Sequence, residues 1–488
     1  MQNFRDRAAA AYDAERFRQQ GHQLVDQLAD YLASATSGKA LPVLPWVTPD
    51  ESLARFPASF PEEPGGELSP FIARVLGGSN HLHHPRYVGH QVSAPLPLAA
   101  LCDFVSSLLN NGMAVYEMGP AVSAMEHNLL RWMAGQLGLP ESAGGVFTSG
   151  GSVGNLTALL AARQAKAGYD AWNGGSPAGP PLTVLVAETA HYSLARATKV
   201  MGWGAEGLTP VPVDANFRLR PESLEATLAA ATRAGRRPIA VVASAGSTST
   251  GAFDPLEPVA DFCERHGLWF HVDGAHGASA ALSPRYRHQV KGIERADSVV
   301  WDAHKMMMMP ALITAVLFRD STRSYESFAQ QASYLFGPGS RPWSDIGLRT
   351  LECTKEMMAL KLYTCLSLLG TRFFSDYVTA TFDLTRRFAE RLKASGDFEV
   401  PVAPDCNILC FRYTPAGVPA SELDTLQARL RQLLIQRGDF YLVQTTLPSG
   451  VYLRTTLINP LTSDAELEAL LEALRQAPRN VAPGSEIR

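Results

Sequence analysis

Four stretches of the chain place residues that could do chemistry directly after a short apolar run. In the first, the apolar residues 146–148 lead into a turn rich in glycine and serine at 149–155, which a helical pattern follows. Glycines let backbone N–H groups approach an anion, and the start of a helix adds its positive end. The turn therefore suits a phosphate, although an ordinary tight turn with a helix N-cap has the same composition.

Each of the other three stretches contributes a titratable side chain. His191 follows one apolar run, Asp273 ends a second, and Lys305 stands between His304 and a third. A buried carboxylate needs a partner, and a lysine in apolar surroundings can become a nucleophile through a lowered pKa. Taken singly, these residues could also be a surface histidine, a helix-capping aspartate and a lysine that reaches solvent.

The order of the four stretches points to pyridoxal 5′-phosphate as a cofactor. Its phosphate needs backbone donors at a helix start, and its ring needs a flat partner on one face. The ring nitrogen needs a buried carboxylate to stay protonated, and the aldehyde carbon needs a lysine amine for a Schiff base. The four stretches supply these groups in turn.

The sequence between these stretches predicts an α/β fold. Helical patterns such as 222–234 and 258–266 alternate with β-rich runs, which favours a largely parallel sheet covered on both faces. The β-rich runs are 182–187, 239–245, 268–272, 298–301 and 313–318. In sheets of this kind a site lies beyond the carboxyl ends of the strands.

Three parts are predicted along the chain. Residues 1–85 form an N-terminal arm, with one or two amphipathic helices followed by an extended segment over 36–70 that is rich in Pro, Gly and Ser. Residues 86–375 form a large α/β domain, and residues 376–488 form a smaller C-terminal α+β domain.

The composition excludes several classes of protein. The chain has 488 residues, 46% of them apolar and 18% charged, which rules out a disordered or fibrous protein. A net charge of −4 argues against nucleic-acid binding, and six scattered cysteines indicate reduced thiols. The N-terminus lacks the apolar block of a signal peptide, and the longest apolar stretch, 306–318, is too short to cross a bilayer. We expect a cytoplasmic protein without membrane or nucleic-acid partners.

These stretches resemble the group II pyridoxal-phosphate-dependent amino-acid decarboxylases, which include the glutamate, cysteine-sulfinate, aromatic amino-acid and diaminobutyrate decarboxylases. The resemblance covers about residues 80–465, and the motifs HVDGA at 271–275 and HK at 304–305 are specific together. The segments 116–117, 332–336 and 459–460 are closer to the glutamate branch. The other matching motifs are HPR at 84–86, the 149–155 turn, HYS at 191–193, the 245–254 segment and Leu453-Arg454.

The resemblance implies fold type I. This fold has a large domain with a mainly parallel seven-stranded sheet, a smaller C-terminal α+β domain and an N-terminal helical arm. The resemblance also implies a homodimer whose active sites lie at the subunit interface.

It further implies a role for each matching residue. Lys305 would form the Schiff base, Asp273 would pair with the ring nitrogen, and His191 would stack on the ring. The other implied cofactor contacts are Ala275 on the opposite face, Gly151, Ser152 and Ser298 at the phosphate, and His304 at phosphate or substrate. The implied substrate residues are Arg454, which would pair with the α-carboxylate, and His90 and Gln91, which would line the pocket.

The sequence departs from the family pattern in the segment 337–352. The family carries a mobile loop there, with a tyrosine that protonates the substrate carbon after CO₂ leaves. Trp343 is the only aromatic residue of this segment, and an indole cannot act as a phenol-like acid. His191 or a water molecule would have to give that proton. Asp302 also stands where the family often has asparagine, so its carboxylate must be paired or turned away from the phosphate.

The predicted function is decarboxylation of an L-amino acid to the amine and CO₂. His90 and Gln91 make the implied pocket polar, and Ala114 stands where the aromatic branch of the family tends to place a bulky side chain. Both features favour a polar or acidic substrate, so aromatic L-amino-acid decarboxylation is the less favoured alternative. The loop without tyrosine keeps other reactions open, namely oxidative decarboxylation to an aldehyde, aminotransfer and lyase chemistry. A non-catalytic binding protein of the same fold is a further alternative. A metal site at the histidine-rich residues 81–84 is a weaker one, because no second cluster completes it, and we expect no metal.

Overall fold

The computed structural model describes residues 4–63, 65–176, 179–330, 332, 335–336, 339–341 and 343–477. These residues form two compact units. The first comprises the described parts of Met1–His90, Arg412–Thr455 and Asn459–Arg488, and the second comprises those of Gln91–Phe411 and Thr456–Ile458. The division into 1–85, 86–375 and 376–488 stays a prediction.

The second unit is built on a seven-stranded sheet. Its strands are β1 (Gly144–Thr148), β2 (Leu182–Ala187), β3 (Leu208–Val211), β4 (Arg237–Ser244), β5 (Trp269–Asp273), β6 (Ser298–Asp302) and β7 (Thr314–Phe318). The spatial order is β1-β7-β6-β5-β4-β2-β3. Only β7 runs antiparallel to its neighbours β1 and β6. The mainly parallel seven-stranded sheet of a fold type I protein is therefore confirmed.

Helices flank the strands along the chain. In chain order they are α1 (Phe4–Ala11), α2 (Ala14–Thr36), α3 (Pro49–Ala54), α4 (Leu68–Gly77), α5 (Pro97–Leu109), α6 (Pro120–Gln136), α7 (Gly151–Lys166), α8 (Tyr192–Val200), α9 (Leu224–Arg233), α10 (Leu256–His266), α11 (Ala303–Met306), α12 (Thr322–Phe328), α13 (Met358–Leu369), α14 (Thr371–Ser395), α15 (Leu423–Arg437) and α16 (Asp464–Gln476). The later strands are β8 (Phe398–Glu399), β9 (Ile408–Tyr413), β10 (Val443–Leu447) and β11 (Gly450–Thr456). All residues of β2, β5, β6 and β7 are buried, as expected for a sheet covered on both faces.

The N-terminal segment contains more helix than the sequence analysis predicts. Of the one or two amphipathic helices predicted, α2 is present and a short alanine-rich helix α1 precedes it, but the prediction of an extended segment over 36–70 is wrong at α3 and at the start of α4. Thr48 and Glu51 form a reciprocal capping box there, and Pro49 occupies the first turn. The TPDE sequence carries this signal, although the surrounding Pro and Gly residues obscure it.

Within the described residues, none of the helices is both long and apolar enough to span a membrane.

Candidate active site

The carboxyl ends of β4, β5 and β6 and the turn after β1 surround one cavity of about 310 Å³. Parallel strands bring their carboxyl ends to one edge of a sheet, so residues far apart in sequence meet there. Seven of the sequence-predicted site residues line this cavity: Gly151, Ser152, His191, Asp273, Ala275, His304 and Lys305.

The turn after β1 presents the amino end of helix α7 to the cavity. Gly150 has a φ of +128°, which side-chain-bearing residues rarely adopt. A Cβ atom on Gly151 would lie 3.1 Å from Asp302 Oδ2, so glycine allows the backbone to approach that side chain closely. The first N–H groups of α7 have no partner within the helix, and together with the helix dipole they suit an anion.

Lys305 belongs to a buried cluster of charges centred on Asp302. Lys305 Nζ lies 3.0 Å and His304 Nε2 lies 3.5 Å from Asp302 Oδ2, and the Thr314 hydroxyl donates to Oδ1 at 2.5 Å. Burial alone would raise the pKa of Asp302, but these three groups lower it below its usual value. The carboxylate of Asp302, which stands where the family often has asparagine, is therefore paired.

Asp273 is held by a neighbouring amide at the end of β5. Asn155 Nδ2 donates to Asp273 Oδ2 at 2.9 Å and to Ser193 Oγ at 2.8 Å. Ser193 Oγ lies 2.8 Å from His191 Nδ1, which also accepts from the Ser193 backbone N–H. Because Nδ1 acts as an acceptor, a neutral His191 carries its proton on Nε2.

His191 lies in surroundings that disfavour its charged form. Burial lowers the pKa of His191, the Asp273 carboxylate partly offsets this, and the Lys305 ammonium lowers it further. A neutral imidazole with a fixed tautomer is therefore present at neutral pH. Such a flat ring suits stacking on an aromatic cofactor.

The hydrogen bonds continue behind Asp273 into the sheet. The Asn155 carbonyl oxygen accepts from His271 Nε2 at 3.0 Å, so His271 Nδ1 must accept from the Ser298 hydroxyl at 2.8 Å. Trp269 Nε1 in turn donates to Ser298 Oγ at 2.8 Å. This chain fixes the amide orientation of Asn155, and through it the carboxylate of Asp273.

The phosphate role predicted for Ser298 does not fit its position. Ser298 begins β6, whereas the cavity lies at the other end of that strand, and its fully buried hydroxyl is occupied by Trp269 and His271. Ser298 therefore orients His271, and through His271 and Asn155 the carboxylate of Asp273.

The stability of the protein should fall as the pH drops from neutral towards 5, partly through His271. Burial lowers the pKa of His271 to about 4, below its ordinary value of 6.5. Above pH 6.5 His271 is neutral in both the folded and the unfolded chain, and the protein keeps its full stability. Between pH 6.5 and pH 4 the unfolded chain binds a proton at His271 and the folded chain does not, so the unfolded state is favoured as the pH falls. We expect a loss of about 2 kcal/mol at pH 5 relative to neutral pH, measured by denaturant unfolding.

The variant His271→Gln cannot titrate and provides the control for this prediction. The loss of unfolding free energy between pH 7 and pH 5 should be about 2 kcal/mol smaller in this variant than in the natural chain. Parallel pH profiles for the two proteins would contradict the assignment.

The predicted substrate residues are divided between the two units. His90 and Arg454 belong to the first unit and Gln91 to the second. Within the first unit, burial lowers the pKa of His90, and the guanidinium groups of Arg454 and Arg431 lower it further. His90 is therefore close to two cations.

The histidines at 81–84 have structural partners. His81 Nδ1 lies 3.1 Å from the Tyr31 hydroxyl, and His84 Nδ1 accepts from the Arg86 backbone N–H. No group of three or more His, Cys, Asp or Glu side chains is arranged to hold a metal ion in the part of the chain that the structure describes.

Some predicted features fall on residues outside the described ranges. These are Ser333 and Tyr334 of the 332–336 motif, and Gly337, Pro338 and Pro342 of the 337–352 segment. Trp343 is described and packs edge-on against His127, with 5.3 Å between the ring centroids.

Sequence reasoning assigned no role to several residues that organise the site. Asn155 and Ser193 orient Asp273 and His191, and Glu352 accepts from the Ser149 hydroxyl at 2.5 Å. The sequence gives one signal for Asn155, because it is an amide among the mainly small or apolar buried residues of α7. Nothing in the sequence points to Glu352, since it lies 203 positions from its partner Ser149.

The fold and the cavity define an enzyme of the fold type I class that uses pyridoxal phosphate. The family model described as "Pyridoxal-dependent decarboxylase conserved domain" matches residues 49–414. The chain therefore belongs to the pyridoxal-dependent decarboxylase family, and it is an amino-acid decarboxylase that depends on pyridoxal 5′-phosphate.

Individual relatives agree with this assignment. The chain is 29% identical to an aromatic-L-amino-acid decarboxylase of Bacillus atrophaeus over 96% of its length and 97% of the relative. It is 32% identical to the cysteine sulfinic acid decarboxylase of Mus musculus, over 80% of this chain and 81% of the relative. A crystal structure of the mouse protein superposes with a TM-score of 0.90 at 28% identity, covering 96% of this chain and 100% of that one.

The residues around the cavity fit the cofactor. The amino end of α7 offers N–H donors to a phosphate at a point where glycine leaves room for it, and Lys305 offers an amine. The Asp273 carboxylate is buried and oriented by Asn155, as a partner for a protonated ring nitrogen must be.

Proposed function

We propose that this decarboxylase acts on an acidic L-amino acid and releases the corresponding amine. The observation that carries the substrate class is the cationic environment of His90, in which Arg431 and Arg454 both act on the imidazole. A negatively charged substrate side chain is attracted to such a region, whereas an aromatic one gains nothing from the charge. The name of the mouse relative, which refers to an acidic amino acid, supports the same class.

The sequence-predicted site residues receive the following roles in this proposal. The amine of Lys305 would hold the cofactor, and the carboxylate of Asp273 would keep its ring nitrogen protonated. His191 stacks on one ring face, and Ala275 packs against the other. The remaining roles are the phosphate contacts of Gly151, Ser152 and His304, the pairing of Arg454 with the α-carboxylate, and the lining of the pocket by His90 and Gln91.

The chemistry of the step divides between the cofactor and the chain. Bound pyridoxal 5′-phosphate supplies the electron sink that accepts the electron pair when CO₂ departs. The chain orients the substrate, keeps the ring nitrogen protonated through Asp273 and returns a proton to the substrate carbon. His191, whose Nε2 carries a proton and whose ring lines the cavity, or a water molecule is the candidate for that last transfer. His191 would have to gain a second proton on Nδ1, since loss of the Nε2 proton alone would leave an imidazolate.

Aldehyde formation is the second candidate function, and one observation favours it. The segment 337–352 contains no tyrosine, so the usual source of the final proton is missing. A carbanion that is not protonated promptly can instead give two electrons to O₂, which is reduced to H₂O₂, and water then hydrolyses the resulting imine to an aldehyde and ammonia.

The proposal includes a homodimer in the cytoplasm. The apolar side chains Val25 and Leu28 on α2 and Phe71 and Val75 on α4 are each more than a third exposed in the single chain. A second subunit would cover such surface, since large apolar patches mark association sites. The six cysteines are all free thiols, which supports a reducing compartment.

The substrate class is tested by measuring CO₂ release from holoenzyme with L-aspartate, L-glutamate, L-cysteine sulfinate, L-phenylalanine and L-tryptophan. At least one acidic substrate should exceed both aromatic ones in kcat/KM by about 100-fold or more. The variant Arg431→Gln should reduce kcat/KM for the acidic substrate by about tenfold, whereas Arg437→Gln in the last turn of the same helix should leave it unchanged. Higher activity on the aromatic substrates would overturn the proposed class.

A further inference from the structure

A second cavity of about 360 Å³ lies in the same unit and shares no lining residue with the cofactor cavity. Its wall contains charged groups of both signs, namely Glu126, Arg131 and Arg349, together with His127 and the indole of Trp343. The decarboxylation described above uses none of these groups.

Glu126 lines this cavity and has one carboxylate oxygen that no described residue satisfies. The residue is only 2% exposed, and its Oε1 accepts from Lys355 Nζ at 2.7 Å and from the Phe147 backbone N–H at 3.2 Å. Its Oε2 is buried and has no hydrogen-bond partner among the described residues. A buried polar atom without a partner costs free energy, and a ligand that donates a hydrogen bond there would recover it.

Arg349 brings a buried guanidinium to the same cavity. The residue is 7% exposed, and its donors reach the Ser324 hydroxyl and the Ser321 carbonyl, both at 3.0 Å. Over the described part of the chain, no carboxylate lies within 4.0 Å of it, so the cation has neutral partners only. Burial lowers the pKa of Arg349 to about 10, and the negative charge of Glu126 offsets only part of this effect.

We propose that this cavity binds a small zwitterion of the α-amino-acid class. The ligand's carboxylate would pair with Arg349, and its ammonium group would donate to Glu126 Oε2. A simple anion would satisfy Arg349 but would leave Glu126 Oε2 without a donor, and a simple cation would do the reverse. A ligand that carries both charges completes both groups, and a volume of about 360 Å³ has room for an α-amino acid.

Ligand binding in the second cavity would affect residues 343–352, which connect it with the cofactor cavity. Trp343, Ile346 and Arg349 line the second cavity, and Glu352, three residues further on, holds Ser149 of the phosphate-suited turn. A bound amino acid would therefore stabilise this segment next to the catalytic centre. The inference does not depend on the substrate class or product proposed above.

Calorimetric titration of the holoenzyme with L-alanine tests the site, after borohydride has fixed the cofactor to its lysine so that no reaction can follow. We expect binding of one L-alanine per subunit that is abolished in Arg349→Gln and retained in Arg454→Gln. Propionate lacks the ammonium group and ethylamine lacks the carboxylate, so each should bind at least about tenfold more weakly.

A second variant separates loss of the site from misfolding. His127→Trp fills the cavity without removing either charged group. It should abolish binding, while the unfolding temperature and, before borohydride treatment, the visible absorbance of the bound cofactor stay unchanged. Absence of L-alanine binding to the unaltered chain would overturn the proposal. So would equal affinity for propionate, or binding that Arg454→Gln removes and Arg349→Gln does not.

Discussion

Replacing Lys305 with alanine is expected to lower kcat by roughly 10⁴- to 10⁶-fold, the range found when a group that bonds covalently to the reactants is removed. Lys305 offers the amine that lines the cofactor cavity beside Asp302. Without it, the visible absorbance of the bound cofactor at roughly 400–430 nm should disappear as well. Steady-state kinetics and the absorption spectrum of the purified variant give both readouts.

The control for this variant is Lys199→Ala, which removes an exposed lysine from the last turn of α8. It should retain full activity and an unchanged spectrum. Substantial turnover and unaltered absorbance in Lys305→Ala would show that another amine holds the cofactor.

Replacing Asp273 with asparagine should lower kcat by about 10²- to 10⁴-fold, with a smaller effect on cofactor affinity. An amide cannot keep the ring nitrogen protonated, so the electron sink weakens although the side-chain shape is preserved. The side-chain carbonyl oxygen of the new amide can still accept from Asn155 Nδ2, which protects the fold. The measurement is kcat at saturating cofactor and substrate, together with the cofactor dissociation constant.

Asp297→Asn is the matched control, because Asp297 precedes β6 and so lies at the opposite edge of the sheet. Its carboxylate accepts from the Phe270 backbone N–H, away from the cavity. This variant should keep kcat within about threefold of the natural enzyme. A similar loss of kcat in both aspartate variants would mean that general destabilisation, and not the ring-nitrogen contact, explains the effect.

The parts of the fold that depend on local pattern could be predicted from the sequence. β2, β5 and β6 are apolar runs bounded by helical patterns, and the residues that end or follow these runs meet at one edge because parallel strands share a direction. That rule predicts that His191, Asp273 and Lys305 lie together, as they do around the cofactor cavity, although their catalytic roles stay predictions.

Features that depend on tertiary contacts could not be predicted. The short strand β3 carries a proline and half-exposed residues, so its composition is not typical of a strand. Ser298 matches a family position, but only the direction of β6 shows which end of the strand it occupies. The pairing of Asp302 with Lys305 and His304, like the contact of Glu352 with Ser149, requires side-chain geometry that a sequence does not contain.

The most direct test of the account is to identify the products made by the holoenzyme from an acidic L-amino acid labelled in its α-carboxyl carbon. Labelled CO₂ and the corresponding amine should appear in equal amounts, with the amine identified by mass spectrometry. Release of labelled CO₂ together with an aldehyde and ammonia would contradict amine formation and would assign the enzyme the oxidative reaction. A keto acid formed without CO₂ would contradict decarboxylation itself.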